Sequence, residues 1–124
     1  MARIEVLENK LVIKLGTLEK ILTAKRRDIE IPLECVETIK MFRQLSVNEI
    51  NLILPKLRLL GLSLGNIVYG IFKTDLGRGF FATRNLEHST IIFVKENCKI
   101  PYKIIVVDTP DTQKLQHLLE KLQE

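Results

Sequence analysis

The last fifteen residues constrain the fold most. Leu115, Leu118, Leu119 and Leu122 fall at i, i+3, i+4 and i+7, a single apolar stripe at helical period. Gln113, Gln116, Glu120 and Gln123 occupy the opposite side. Thr109 suits a cap, Pro110 the first helical position and Asp111 the positive end of the helix dipole. A helix with one narrow stripe must dock on something, and what precedes it is mostly strand.

The runs Arg3–Leu7 and Lys10–Leu15 are short and extended, with Glu8-Asn9 between them as a tight hairpin turn. Thr17 to Lys25 has the spacing of a turn or two of helix. Asp28–Ile31 alternates like a half-buried strand, Pro32 marks a bend or strand edge, and Cys35–Phe42 reads as another strand. Ser46 and Glu49 form a capping box, so a short helix is expected to start there and end near Pro55; a strand over Ile50–Leu54 competes, and residues 47–54 stay open between the two. Ile67–Thr74 and Arg78–Arg84 make a hairpin around Asp75-Leu76-Gly77. Thr90–Lys95 and Tyr102–Val107 are short and rich in Ile and Val, as strands are. The expectation is one mostly-β domain over residues 1–124: about seven antiparallel strands spanning about 3–107 in a bent barrel or sandwich, capped by an amphipathic helix over about 110–123.

That order of elements resembles the pleckstrin-homology-like fold. The residues that carry the likeness are Lys56-Leu-Arg-Leu-Leu-Gly61, Leu64-Gly65, Val68-Tyr-Gly-Ile-Phe72, the charged hairpin Lys73–Arg78 and Asp108-Thr-Pro-Asp111 before the helix. The chain is similar to small bacterial and archaeal members of that group, over about Arg3 to the end. The resemblance implies a fold more than an activity.

Chemistry is sparse. His88 in Asn85-Leu-Glu-His-Ser-Thr90 reads as part of a polar turn, and His117 as a solvated helix residue. There is no metal-ligand spacing, no Walker sequence and no GxGxxG, and Gly77-Arg-Gly79 reads as hairpin chemistry. No catalytic, cofactor-binding or metal-binding residue is assigned, no cofactor is expected, and the chain is not read as an enzyme. The two cysteines, Cys35 and Cys98, allow a disulfide on count alone; the reading adopted is two reduced, buried thiols in a cytoplasmic protein.

The net charge of +4 is too small for a dedicated nucleic-acid binder, and no nucleic-acid partner is expected. The one compact cationic cluster, Lys25-Arg26-Arg27, is a candidate contact for phosphate or lipid headgroups. Phosphoinositide-binding relatives place basic residues in the first hairpin loop, which here is the short, acidic Glu8-Asn9. The N-terminus does not read as a signal peptide, and Pro55, Lys56, Arg58 and Asn66 interrupt the greasiest stretch, Ile50–Phe72. A piece cut from a longer membrane protein would look the same.

Three segments are greasier than half-buried strands need to be: Leu57–Leu64, Ile91–Val94 and Ile104–Val107. Either the closing barrel and the final helix cover both faces, or the surplus is a self-association surface built on Leu57, Leu59, Leu60, Leu62 and Leu64. The functional expectation is a non-enzymatic scaffold or protein-interaction module whose partner is itself or another protein. The alternative is a cytoplasmic protein held weakly at an anionic membrane by its basic loop.

Overall fold

The computed structural model describes residues 3–17, 20, 28–110 and 112–123; everything below concerns those residues. The helix expected over Thr17–Lys25 lies almost wholly outside them, as do Lys25-Arg26-Arg27, Asp111 and the side chain of Leu122.

Neighbouring short strands pair first. β1 (Arg3–Leu7) and β2 (Lys10–Lys14) form a hairpin on the two-residue turn Glu8-Asn9. Glu8 takes φ +56°, the positive value that primed hairpin turns require. β3 (Ile29–Pro32) adds to β2, completing a three-stranded sheet in the order β1-β2-β3. A single 3-10 turn, Leu33–Cys35, then leads into β4 (Val36–Met41).

Residues 47–53 are helical, which settles the choice left open by the sequence. The Ser46 hydroxyl accepts from the Glu49 N–H at 3.2 Å, and the Glu49 carboxylate accepts from the Ser46 N–H at 3.0 Å. This reciprocal cap satisfies two orphan donors and starts α1 (Val47–Ile53), which stops before Pro55.

The remaining strands, β5 (Leu57–Leu64), β6 (Ile67–Thr74), β7 (Gly77–Thr83), β8 (Thr90–Val94) and β9 (Ile104–Val107), join β4 in a six-stranded sheet. Its order is β4-β8-β9-β7-β6-β5. The structure is thus mostly β, with nine described strands against about seven expected, in two sheets arranged as a sandwich that does not close into a barrel. One pairing departs from the antiparallel expectation. After β7 the chain crosses to pair β8 with β4, and β9 returns between β8 and β7, parallel to β7. A strand in that central position is covered on both faces, which is why Ile104–Val107 is an unbroken apolar run and is wholly buried.

Two cores follow. One fills the space between the sheets, with Ile13, Ile31, Ile39, Phe80, Ile92, Ile105 and Val107 at its centre. The other lies on the opposite face of the large sheet, where Phe72, Phe81, Ile91, Ile104 and Val106 pack with Ile53 of α1. The second cover over β8 and β9 therefore comes from α1, where the sequence reading placed the final helix. That helix, α2 (Thr112–Gln123), begins two residues past Pro110 and seats Leu115 and Leu119 in the first core; Leu118 is only half-buried.

The cysteine reading is corrected. Cys35 and Cys98 form a disulfide, with Cα atoms 5.8 Å apart, within the ordinary range for the bond. The backbone brings them together: Val36 of β4 pairs with Val94 of β8, and the Lys95 N–H donates to the Cys35 carbonyl at 2.8 Å. Sixty-three residues of separation hid that proximity from the sequence.

Candidate functional site

A two-sheet sandwich that stays open leaves four strand edges, and each carries a row of N–H and C=O groups that must be paired, covered or solvated. The edge of β3 is blunted by Pro32. Leu33 N–H donates to the Asn9 carbonyl at 2.8 Å, so the next pair along, Pro32 and Lys10, is one without ladder bonds, and the N–H that proline lacks would have pointed outward. The edge of β4 is covered by α2. There the Gln116 side-chain amide donates to the Ile39 carbonyl and to Gln44 Oε1, both at 2.8 Å. Gln116 reads in the sequence as one more polar residue on the wet side of a helix; only its placement beside an open strand makes it an edge cap.

β5 has no such cover. Among the described residues its backbone pairs with β6 alone. Its side chains are exposed almost throughout, including Leu57 at 54% and Leu64 at 68%, with Leu59, Leu60 and Leu62 near 40%. Register sorts them by face. Leu60, Leu62 and Leu64 stand opposite Ile71, Tyr69 and Ile67, so the three leucines share the face that carries the inter-sheet core. Beyond Tyr69 that core ends, and the leucines continue its apolar surface into solvent. Arg58 is the one charged residue on the strand, and the register shift between Arg58 and Leu60 bulges that end. The regular stretch is therefore Leu60–Leu64.

All five leucines singled out from the sequence thus lie on one exposed edge strand. Ile91–Val94 and Ile104–Val107, the other two greasy segments, are consumed by the two cores. Lys25, Arg26 and Arg27 lie outside the described residues.

Among the described residues no group of three His, Cys, Asp or Glu side chains gathers as metal ligands would. His88, in the 3-10 turn Leu86–His88, and His117, on α2, are both exposed and lie on separate elements. Among the described residues, the one carboxylate held below its ordinary value is Glu49. The Ser46 N–H of the helix cap is the larger cause and the Lys40 ammonium of β4, 2.9 Å away, the next. No described helix is long and apolar enough to cross a membrane.

No family model, curated protein or solved structure matches the chain.

Proposed function

We propose that this chain is a non-enzymatic scaffold or interaction module that associates with itself through β5. The observation that carries the reading is an uncovered edge strand with three leucines in register on one face. A two-fold pairing of Leu60–Leu64 with a second copy, centred on Leu62, sets leucines 60, 62 and 64 of one copy against 64, 62 and 60 of the other. It satisfies the open backbone row, and the facing leucines of the two copies shield part of one another's apolar surface from water. Charge does not oppose it: Arg58 of the two copies would sit roughly 25 Å apart at about 3.3 Å per residue, well beyond the screening length of about 8 Å at physiological salt.

The pleckstrin-homology-like assignment is part of the same proposal. A mostly-β sandwich with a C-terminal helix packed against it supports it, and the parallel β7–β9 pair departs from the antiparallel arrangement it implies. Compartment is proposed too. Disulfides persist mainly where the surroundings are oxidising, so the Cys35–Cys98 bond favours such a compartment over the cytoplasm.

Light scattering across a tenfold dilution series tests self-association. The parent chain is expected to exceed its monomer mass of 14.3 kDa at high micromolar concentration. The double variant Leu62→Lys, Leu64→Lys is expected to stay at that mass and keep the parent's circular dichroism, because neither side chain is in a core. A parent that remains monomeric throughout the series overturns the reading.

A further inference from the structure

The fourth edge, that of β1, differs from the others: it is neither blunted nor bare but faces a groove. A cavity of about 600 Å³ runs between β1 and α2, within the usual size range of ligand sites. All five residues of β1, Arg3–Leu7, line it; Lys114, Leu115 and Leu118 of α2 form much of the facing wall. Successive side chains of a strand point to opposite faces, so five in a row can line one cavity only if the strand's backbone edge looks into it.

Which groups that edge presents follows from the turn. A two-residue hairpin closes on a hydrogen-bonded pair, here Leu7 and Lys10, so the ladder to β2 uses Arg3, Glu5 and Leu7. Ile4 and Val6 then turn their N–H and C=O groups outward, into the groove. The Leu33–Asn9 bond agrees, because it assigns the opposite ladder, β2 to β3, to Leu11 and Ile13. Among the described residues nothing but β2 pairs with the backbone of β1.

We propose that this groove takes an extended peptide segment of a partner protein, which adds to β1 as a fourth strand of the small sheet. Main-chain bonds to Ile4 and Val6 would supply affinity, and side chains at alternate positions would supply selectivity. On the inner side those positions meet Leu115 and Leu118 and adjoin Ile4 and Val6, so they are apolar. Charge selects the rest. Glu5 is held by Lys14 at 3.0 Å, which leaves Arg3 and Lys114 as the cations lining the groove. The occupant is therefore a strand with apolar residues at every second position and at least one Asp or Glu. Five residues of β1 set its paired length at about 17 Å. This site uses a different sheet and a different edge from the β5 contact and does not depend on it.

The test uses the full chain and a display library of random eight-residue peptides. Selection is expected to enrich peptides that alternate apolar residues and carry an acidic one. A synthetic peptide from that set is expected to slow amide hydrogen exchange at Ile4 and Val6. It is expected to bind at least tenfold more weakly to the Arg3→Glu, Lys114→Glu variant, whose surface changes leave the core intact. Its affinity for the Leu62→Lys, Leu64→Lys variant should match that for the parent. Failure to enrich any peptide, enrichment of basic peptides, or protection that falls elsewhere than on β1 overturns the proposal. A monomeric chain whose Ile4 and Val6 amides are protected by peptide refutes the β5 reading and supports this one; a dimer that selects no peptide does the reverse.

Discussion

Gly61 of β5 lies directly opposite Gly70 of β6, with φ values of +112° and +137°. The two backbones approach so closely that a Cβ on Gly61 would stand 2.6 Å from the Gly70 Cα, and one on Gly70 would stand 2.7 Å from the Gly61 Cα. A side chain at either position meets backbone, which cannot rotate away, and a backbone conformation that L-residues avoid. These glycines hold the leucine-bearing edge strand against the sheet.

Gly61→Ala is accordingly expected to loosen β5 from β6, at a cost of about 1–3 kcal/mol from the backbone conformation, to which the clash adds. Because β5 is an edge and its side chains contribute little to either core, the loss should be local. Hydrogen exchange should speed up at β5 amides and remain slow at Ile91, Ile105 and Val106 of the central strands. Unchanged exchange along β5 would show that the close pairing is dispensable.

The disulfide spans a long loop, so its removal should be felt globally. Closing a loop with a sequence separation of 63 is worth about 4 kcal/mol in the chain-entropy account. Reduction by dithiothreitol, or the Cys35→Ser, Cys98→Ser variant, is expected to lower Tm by on the order of 10 °C. The variant should no longer respond to reductant. A parent whose melting is indifferent to reductant would mean that the bond is not formed.

The helix stripe is not uniform. Leu115 and Leu119 are buried in the core between the sheets, whereas Leu118 is half-buried against the β1 groove. Leu119→Ala is expected to cost about 2–4 kcal/mol and Leu118→Ala clearly less, since a partly solvated site leaves a smaller void. Urea unfolding midpoints decide this. Equal losses at both positions would mean that α2 docks through a different face.

The cap of α1 should show a defined pH dependence. Glu49 titrates below its ordinary value of 4.5, chiefly because its carboxylate accepts the Ser46 N–H. A carboxyl group depressed in the folded state adds stability that is complete above the unfolded value and is lost as pH falls through the folded one. Stability of the parent should therefore decline on the acid side faster than that of Glu49→Gln. Ser46→Ala removes the other half of the cap and should cost about 1 kcal/mol at neutral pH. The Lys40–Glu49 ion pair is about one-third exposed at both ends and should add little. Urea midpoints at neutral pH and near pH 3 measure all three.

Local chemistry was legible in the sequence. Ser46 and Glu49 announce a cap, Pro55 a stop, Glu8-Asn9 and Asp75-Leu76-Gly77 announce hairpins, and the leucine spacing announces α2, because each signal is satisfied by residues within a few positions. The surplus of leucine over 57–64 was legible too, as more apolar surface than one sheet face can hide. What the sequence could not determine was which strands become neighbours. The insertion of β9 beside β7, the meeting of Cys35 with Cys98 and the use of α1 as the second cover all depend on contacts between distant segments. So does the fate of each edge. Pro32 blunts one edge by its own chemistry, but Gln116 caps another, β1 faces a groove and β5 stands open because of where the sheets and α2 come to rest. Burial is a property of the assembled layers, and identical apolar runs can end up in a core or in water according to their place in the strand order.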